Sequence, residues 1–277
     1  MVTDPRSWAI DPAQYIARRH TGDDVAQSSR GTEEQHRETG ITWDDFDTSR
    51  IPASTTERSR HRFRAQFPEL IWNTAALEGN NFTLPEVRTL LDNVTVGGRP
   101  TREAAQILAL SEGYSRLDEL VGSGQFALTK EVSDELHRLV AVHEAIESGH
   151  FRGEGQVTGG GTVRLSNGGV VEGTASGPGG ALLREHFEDL ITYLDGLSDA
   201  RERALIYFAS ATRRQFYFDG NKRTARLMMT GELMAGGYDL ISIPFARRLE
   251  LNNALDVMFS TDDATELLRF LTTCTVK

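Results

Sequence analysis

Cysteine is almost missing: Cys274 is the only one in 277 residues. An internal disulfide and a Cys-rich zinc site are therefore both excluded. Long apolar runs are missing too. No stretch is long enough to span a bilayer, and the opening MVTDPRSWAIDPAQYIARRH has no apolar centre of the signal-peptide kind. Positive charge is in short supply, with 30 Lys and Arg against 40 Asp and Glu, a formal net charge of −10. That balance argues against general nucleic-acid binding and against attraction to an anionic membrane. Together these absences predict a cytoplasmic, reducing setting, with no nucleic-acid and no membrane partner.

What is present is ordinary for a folded chain, with 39% hydrophobic and 25% charged residues. The length allows a substantial core, in one large domain or one domain plus an extension. Residues 1–60 have few apolar residues at regular spacing and read as a polar N-terminal extension, flexible or loosely docked. Trp8, Tyr15 and Trp43 are its candidate anchors. From Arg62 the pattern turns helical: FRAQFPELIWNTAALEGNNF carries apolar residues three and four apart and stops at Gly79, a suitable helix C-cap. Thr83-Leu84-Pro85-Glu86 has the form of a capping box opening the next helix. Further helices are predicted over 101–121, 129–147, 181–197, 198–214, from the loop at 219–221 to Gly236, 244–259 and 262–274. The glycine-dense region 149–180 differs, because Asn167-Gly168 sits between two β-type runs and signals a hairpin. The fold class expected is mainly α, a helical bundle with one β-hairpin.

One stretch stands out chemically, Gln215-Phe216-Tyr217-Phe218-Asp219-Gly220-Asn221-Lys222-Arg223-Thr224-Ala225-Arg226. A tight Asp-Gly-Asn turn between two helices leaves unpaired N–H groups at the start of the second. Those donors and the positive end of the helix dipole favour an anion. Lys222, Arg223 and Arg226 add three cations, and Asp219 one carboxylate. Taken alone, such cations read as a solvated helix face. The turn beside them favours a polyphosphate bound with a divalent metal.

This stretch is similar to the motif of the Fic family (Fic/Doc fold), His-x-Phe-x-Asp/Glu-Gly-Asn-Gly/Lys-Arg-x-x-Arg. Upstream, Thr74-Ala75-Ala76-Leu77-Glu78-Gly79-Asn80 resembles the family's inhibitory helix, Ser/Thr-x-x-x-Glu-Gly/Asn. The glycine-rich hairpin resembles the family's flap. The resemblance covers roughly residues 62–277 and implies residues 61–100 as inhibitory-helix region and 101–277 as Fic core. Most members transfer AMP from ATP to a protein hydroxyl, so it implies ATP and magnesium (Mg²⁺) as cofactors and a target protein as partner. Self-association is left open. Carried over by position, Asp219 would bind the metal. Gly220, Asn221 and Lys222 would belong to the phosphate cradle, Arg223 would meet the β-phosphate and Arg226 the γ-phosphate. Glu78 would compete with the γ-phosphate for Arg226, since a guanidinium fork takes one bidentate anion at a time. The flap, about residues 156–172 beginning with Gln156, Val157 and Thr158, would take a target segment as an added strand.

Two positions depart from the motif. Tyr217 replaces Phe and adds a hydroxyl that needs a partner. Gln215 replaces the catalytic His, and a neutral amide cannot take a proton near pH 7. A positioned general base contributes about 10²–10⁴ in rate, or roughly 3–5 kcal/mol of barrier. His137, His143, His150 and His186 read as surface or internally satisfied rather than as a relocated base. Two readings stay open: a self-inhibited, weakly active or inactive adenylyltransferase-like protein, and a non-catalytic nucleotide-sensing or partner-binding module. Removal of AMP ranks below both, because in the family it also relies on the motif His.

Overall fold

The structure, a computed structural model, describes residues 22–276, with side chains described from residue 31 onward. Trp8 and Tyr15 lie outside the described residues. Among those described are eleven α-helices and one two-stranded antiparallel sheet.

The helix α9 (Asn221–Ala235) runs through the centre, and every residue from Arg223 to Met234 on it is buried. Around it pack α2 (Thr56–Ala65), α5 (Thr101–Gly122), α6 (Lys130–Val140) and α8 (Ala200–Arg214). A helix enclosed on all sides must satisfy its polar side chains internally. Thr230 donates to the Arg226 carbonyl at 2.8 Å, and Glu232 accepts from Arg203 Nε at 2.7 Å. The charged start of α9 is where this satisfaction is incomplete.

The described part of the polar N-terminal segment, from Gly22 onward, is docked rather than loose. Helix α1 (Gly22–Thr39) packs on α7 (Ala181–Asp195), and the Ile41 and Ile51 side chains behind it are fully buried. Trp43 is an anchor as expected, meeting the Tyr193 ring edge-on at 5.9 Å. The α1 sequence is too polar for its periodicity to announce a helix, so its stability comes from docking.

The long helix expected from Arg62 is two helices. The first, α2, starts earlier, where Thr55 Oγ1 accepts the Arg58 N–H at 3.3 Å, and it ends at Gln66 before α3 (Phe67–Leu77). The capping box of α4 (Leu84–Leu91) forms, the Thr83 N–H donating to Glu86 Oε2 at 2.7 Å. Helix α6 stops at Val140 instead of continuing to 147, and the Val140 carbonyl accepts from Arg223 at 2.9 Å. A distant arginine thus takes an acceptor that local sequence would assign to the helix. The last two helices are α10 (Arg248–Thr261) and α11 (Thr265–Thr272).

The hairpin forms around Asn167-Gly168 with strands β1 (Thr162–Arg164) and β2 (Val170–Glu172), in the register Thr162↔Glu172, Val163↔Val171, Arg164↔Val170. It is shorter than the span 156–172. Gln156, Val157 and Thr158 precede it, and the Gln156 and Val157 N–H groups donate to Glu147 Oε1 at 2.6 and 3.2 Å. An anchored coil cannot also present those two donors as a strand edge. Among the described residues no helix is long and apolar enough to cross a membrane.

Candidate functional site: the loop at the start of the central helix

The turn between α8 and α9 depends on Gly220, whose φ is +74°. A Cβ there would stand 2.7 Å from the Ala141 Cβ, so both conformation and space require glycine. Asn221 folds back into the loop: its Oδ1 accepts the Tyr217 N–H at 2.8 Å, and its Nδ2 donates to the Tyr217 carbonyl at 2.8 Å and to Gln215 Oε1 at 3.0 Å. The Asn221 side chain closes the loop rather than facing a ligand. What α9 offers an anion is its first N–H groups, which have no side-chain cap.

Beneath the loop lies His137, fully buried and stacked on Tyr217 with ring centroids 3.7 Å apart. Its Nδ1 accepts the Gly149 N–H at 2.8 Å, so Nε2 carries the proton and donates to the Asp219 carbonyl at 2.8 Å. Burial, with Arg223 acting in the same direction, lowers its pKa to about 4. The Tyr217 hydroxyl finds the partners it requires, donating to Asp134 Oδ1 and sharing a hydrogen bond with Ser133 Oγ, both at 2.8 Å.

The charged groups are arranged unequally. Arg223 is well held: one terminal nitrogen donates to the Val140 carbonyl and to Glu144 Oε2, both at 2.9 Å, and both side chains of this pair are 4% exposed. Its other terminal nitrogen lies 3.6 Å from Asp219 Oδ1, and the Asp219 carboxylate is 58% exposed. Arg226 is not held in this way. It is buried, and Nε and both terminal nitrogens have no hydrogen-bond partner among the described residues. The anion facing it is Glu78, whose Oε1 is 3.8 Å from a terminal nitrogen, too far for a hydrogen bond. The second oxygen of Glu78 lies 3.1 Å from Lys222 Nζ.

A sharp helix end puts Glu78 there. The Gly79 N–H bonds the Ala76 carbonyl and the Asn80 N–H bonds the Ala75 carbonyl, both at 3.0 Å, with Gly79 at φ +90°. This reversal stops α3 with Glu78 over the start of α9. Burial alone would raise the Glu78 pKa, but Lys222, Arg226 and Arg223 more than offset it and hold the carboxyl below its ordinary range.

These groups open onto a cleft of about 590 Å³, whose walls include Glu78, Gln215, Asp219, Gly220, Asn221, Lys222 and Arg223. The hairpin from Thr162 to Ser166 and the α10 residues Leu255, Asp256 and Phe259 close its other sides. The tip of the hairpin is held to α10, where the Ser166 N–H and hydroxyl both bond Asp256 Oδ2. Arg226 lies behind Glu78 and off the cleft wall, and Gln156, Val157 and Thr158 are likewise not on it.

Gln215 adopts a left-handed conformation with φ +54°. Its amide nitrogen donates to the Thr212 carbonyl at 2.6 Å, and its amide oxygen accepts from Asn221. Both ends are used inside the loop. Among the described residues no histidine lines the cleft: His137 is internally satisfied, His143 and His150 are exposed, and His186 is partly buried.

Sequence reading did not find three residues that support the site. Glu144, partner of Arg223, is 79 residues away from it. Arg152 and Asp256 fasten the hairpin to the loop and to α10. None sits in a recognisable pattern, so only folding brings them in. As for ligands, no group of three His, Cys, Asp or Glu among the described residues can hold a metal. Asp219 therefore suits a metal whose remaining oxygens come from phosphate and water. The orphaned Arg226 and the uncapped α9 suit the phosphates.

No family model matches the chain. It is 31% identical over 212 residues to the protein adenylyltransferase Fic of Drosophila willistoni, covering 75% of this chain and 40% of that protein. Over 234 residues it is 30% identical to the protein of the same name from Drosophila ananassae, covering 83% of this chain and 44% of that one. The chain thus spans less than half the length of these relatives. Among solved structures it resembles a Fic domain-containing signalling protein from Bacteroides thetaiotaomicron, with a TM-score of 0.65 and 19% identity over 88% of this chain and 91% of that one. It also resembles C. elegans Fic-1, with a TM-score of 0.63 and 21% identity over 92% of this chain and 71% of that one. The solved structures share this fold, and the identity to the curated relatives shows that the chain belongs to the Fic family.

Proposed function

We propose that this chain binds ATP with magnesium, that Glu78 inhibits it from within, and that it transfers AMP to a protein hydroxyl slowly or not at all. The observation carrying this reading is Arg226, a buried guanidinium with three nitrogens lacking hydrogen bonds and with Glu78 Oε1 at 3.8 Å. A buried charge without hydrogen bonds is costly. A phosphate able to accept two of its N–H groups would relieve that cost once Glu78 withdrew. Arg223 and the first N–H groups of α9 would hold the neighbouring phosphates, and Asp219 and Lys222 would face the same anion. Magnesium supplies charge neutralisation between phosphate oxygens when bound.

In transfer, the acceptor oxygen would bond to the α-phosphorus, pyrophosphate would leave, and the hydroxyl proton would need an acceptor. Gln215 has none to offer, and both ends of its amide are engaged by Thr212 and Asn221. This engagement favours the second reading, a module that senses nucleotide and docks a partner on the hairpin without turnover. The docking edge in either case is the strand pair 162–164 and 170–172.

Calorimetry with ATP and magnesium tests the binding reading. Glu78→Gly is expected to bind more tightly than the unaltered chain, and Arg226→Ala more weakly. If neither the unaltered chain nor Glu78→Gly binds, the reading fails.

A further inference from the structure

Arg152 is 2% exposed, and each hydrogen bond from its side chain goes to a main-chain carbonyl. Nε donates to the Gln215 carbonyl at 2.6 Å. One terminal nitrogen reaches the Gly160 carbonyl at 2.8 Å and that of Gly159 at 3.3 Å, and the other the Thr174 carbonyl at 2.6 Å. The Arg152 N–H also donates to the Phe216 carbonyl at 2.9 Å. One planar fork therefore joins the segment that enters the hairpin, the segment that leaves it, and the loop holding residue 215. The hairpin's feet have two bonds of their own, Gly173 N–H to the Gly161 carbonyl at 2.9 Å and Thr174 N–H to the Arg214 carbonyl at 3.2 Å. The approach is close: a Cβ on Gly161 would stand 2.5 Å from the Arg152 guanidinium carbon.

A buried guanidinium bonded only to carbonyls is a poor device for stability alone, since burial opposes its charge and, among the described residues, the Glu172 carboxylate alone favours it. It is an effective device for geometry. Its donors are fixed in one plane, so the three segments cannot shift independently while it is bonded.

We infer that Arg152 is the positioning residue that sets the hairpin in register with residue 215. A segment added to the hairpin then arrives at a fixed distance from that position. The functional half of this statement rests on the reading of the hairpin as a docking edge; the clamp itself does not.

The clamp is tested on the full chain without nucleotide, by amide hydrogen exchange of Arg152→Lys and Arg152→Met. The Gly173 and Thr174 amides are expected to exchange about 10-fold faster or more, while those of Met228 and Met229 in α9 stay unchanged. Unchanged exchange at the hairpin feet would overturn the clamp, and so would an equal rise throughout α8 and α9. The positioning role is tested in a Gln215→His, Glu78→Gly background, by self-labelling from ATP labelled on the α-phosphate. There Arg152→Lys is expected to lower the saturating rate with little change in the ATP concentration giving half that rate. An unchanged saturating rate would overturn positioning. No labelling by the parent background would overturn the transferase half of the proposed function instead, with nucleotide binding decided by calorimetry and the clamp by exchange.

Discussion

Glu78 reaches Lys222 at 3.1 Å and Arg226 only at 3.8 Å, so the buried arginine is the less satisfied of its two partners. Lys222 is 37% exposed and its charge is screened by water, whereas Arg226 is 4% exposed. Glu78 thus neutralises Arg226 through space without completing its hydrogen bonds. A contact that leaves the guanidinium N–H groups unbonded can be displaced by a better-fitting anion.

Removing the Glu78 charge while keeping its shape is therefore expected to destabilise the free protein. In Glu78→Gln, Arg226 loses its facing anion, and breaking a buried pair in this way costs about 3–5 kcal/mol. Urea denaturation measures the loss. Adding ATP and magnesium should recover about 2.7 kcal/mol at a hundredfold excess over Kd. Because the folded pKa of Glu78 is depressed, its contribution is present above the ordinary carboxylate range and is lost as pH falls through the lowered value.

Gln215→His is expected to restore a proton acceptor where the amide now sits. In the Glu78→Gly background, transfer of label from ATP should rise by about 10²–10⁴ over the Gln215 protein. Equal transfer by the two proteins would mean that residue 215 does not limit the reaction.

The pair Arg223 and Glu144 makes a sharper statement about stability. Both side chains are 4% exposed and their atoms are 2.9 Å apart. Glu144→Ala leaves a buried guanidinium with the Val140 carbonyl as its remaining hydrogen-bond partner and should cost about 3–5 kcal/mol in urea denaturation. It should also weaken nucleotide binding, because Arg223 would no longer be fixed.

His137 sets a pH window. Its pKa falls from 6.5 to about 4 on folding, chiefly through burial. Between these values the unfolded chain binds the extra proton, so stability rises with pH there and is fully present above 6.5. The span corresponds to about 3 kcal/mol. Replacing His137 with Asn should flatten the pH dependence of the urea midpoint between pH 4 and 6.5 relative to the unaltered chain. An identical pH dependence in the two proteins would show that His137 is not the titrating group.

Most of the helices and the hairpin turn could be read from local pattern: the capping box at Thr83, the reversal at Gly79, and Asn167-Gly168 between two β-type runs. Those signals are local because they depend on backbone conformation and on partners a few residues away. The docked helix α1 could not be read, since its residues are polar on every side and its stability comes from α7. The early end of α6 could not be read either, because the Val140 carbonyl serves an arginine on another helix.

The candidate site divides along the same line. Asp219 to Arg226 declared themselves by spacing, and Glu78 by its setting at a helix end. Their neighbours did not. Glu144 belongs to the site because it pairs with the buried Arg223 of α9, His137 because it holds the Asp219 carbonyl, and Arg152 because it holds the Gln215 carbonyl, and chain order announces none of these contacts. Local order in the chain was enough to single out the candidate loop from Gln215 to Arg226 and the glutamine at its start. Which charges are paired, which one is left without a hydrogen bond, and what holds the hairpin to the loop were decided by packing, since hydrogen bonds among buried groups are chosen by distance in space.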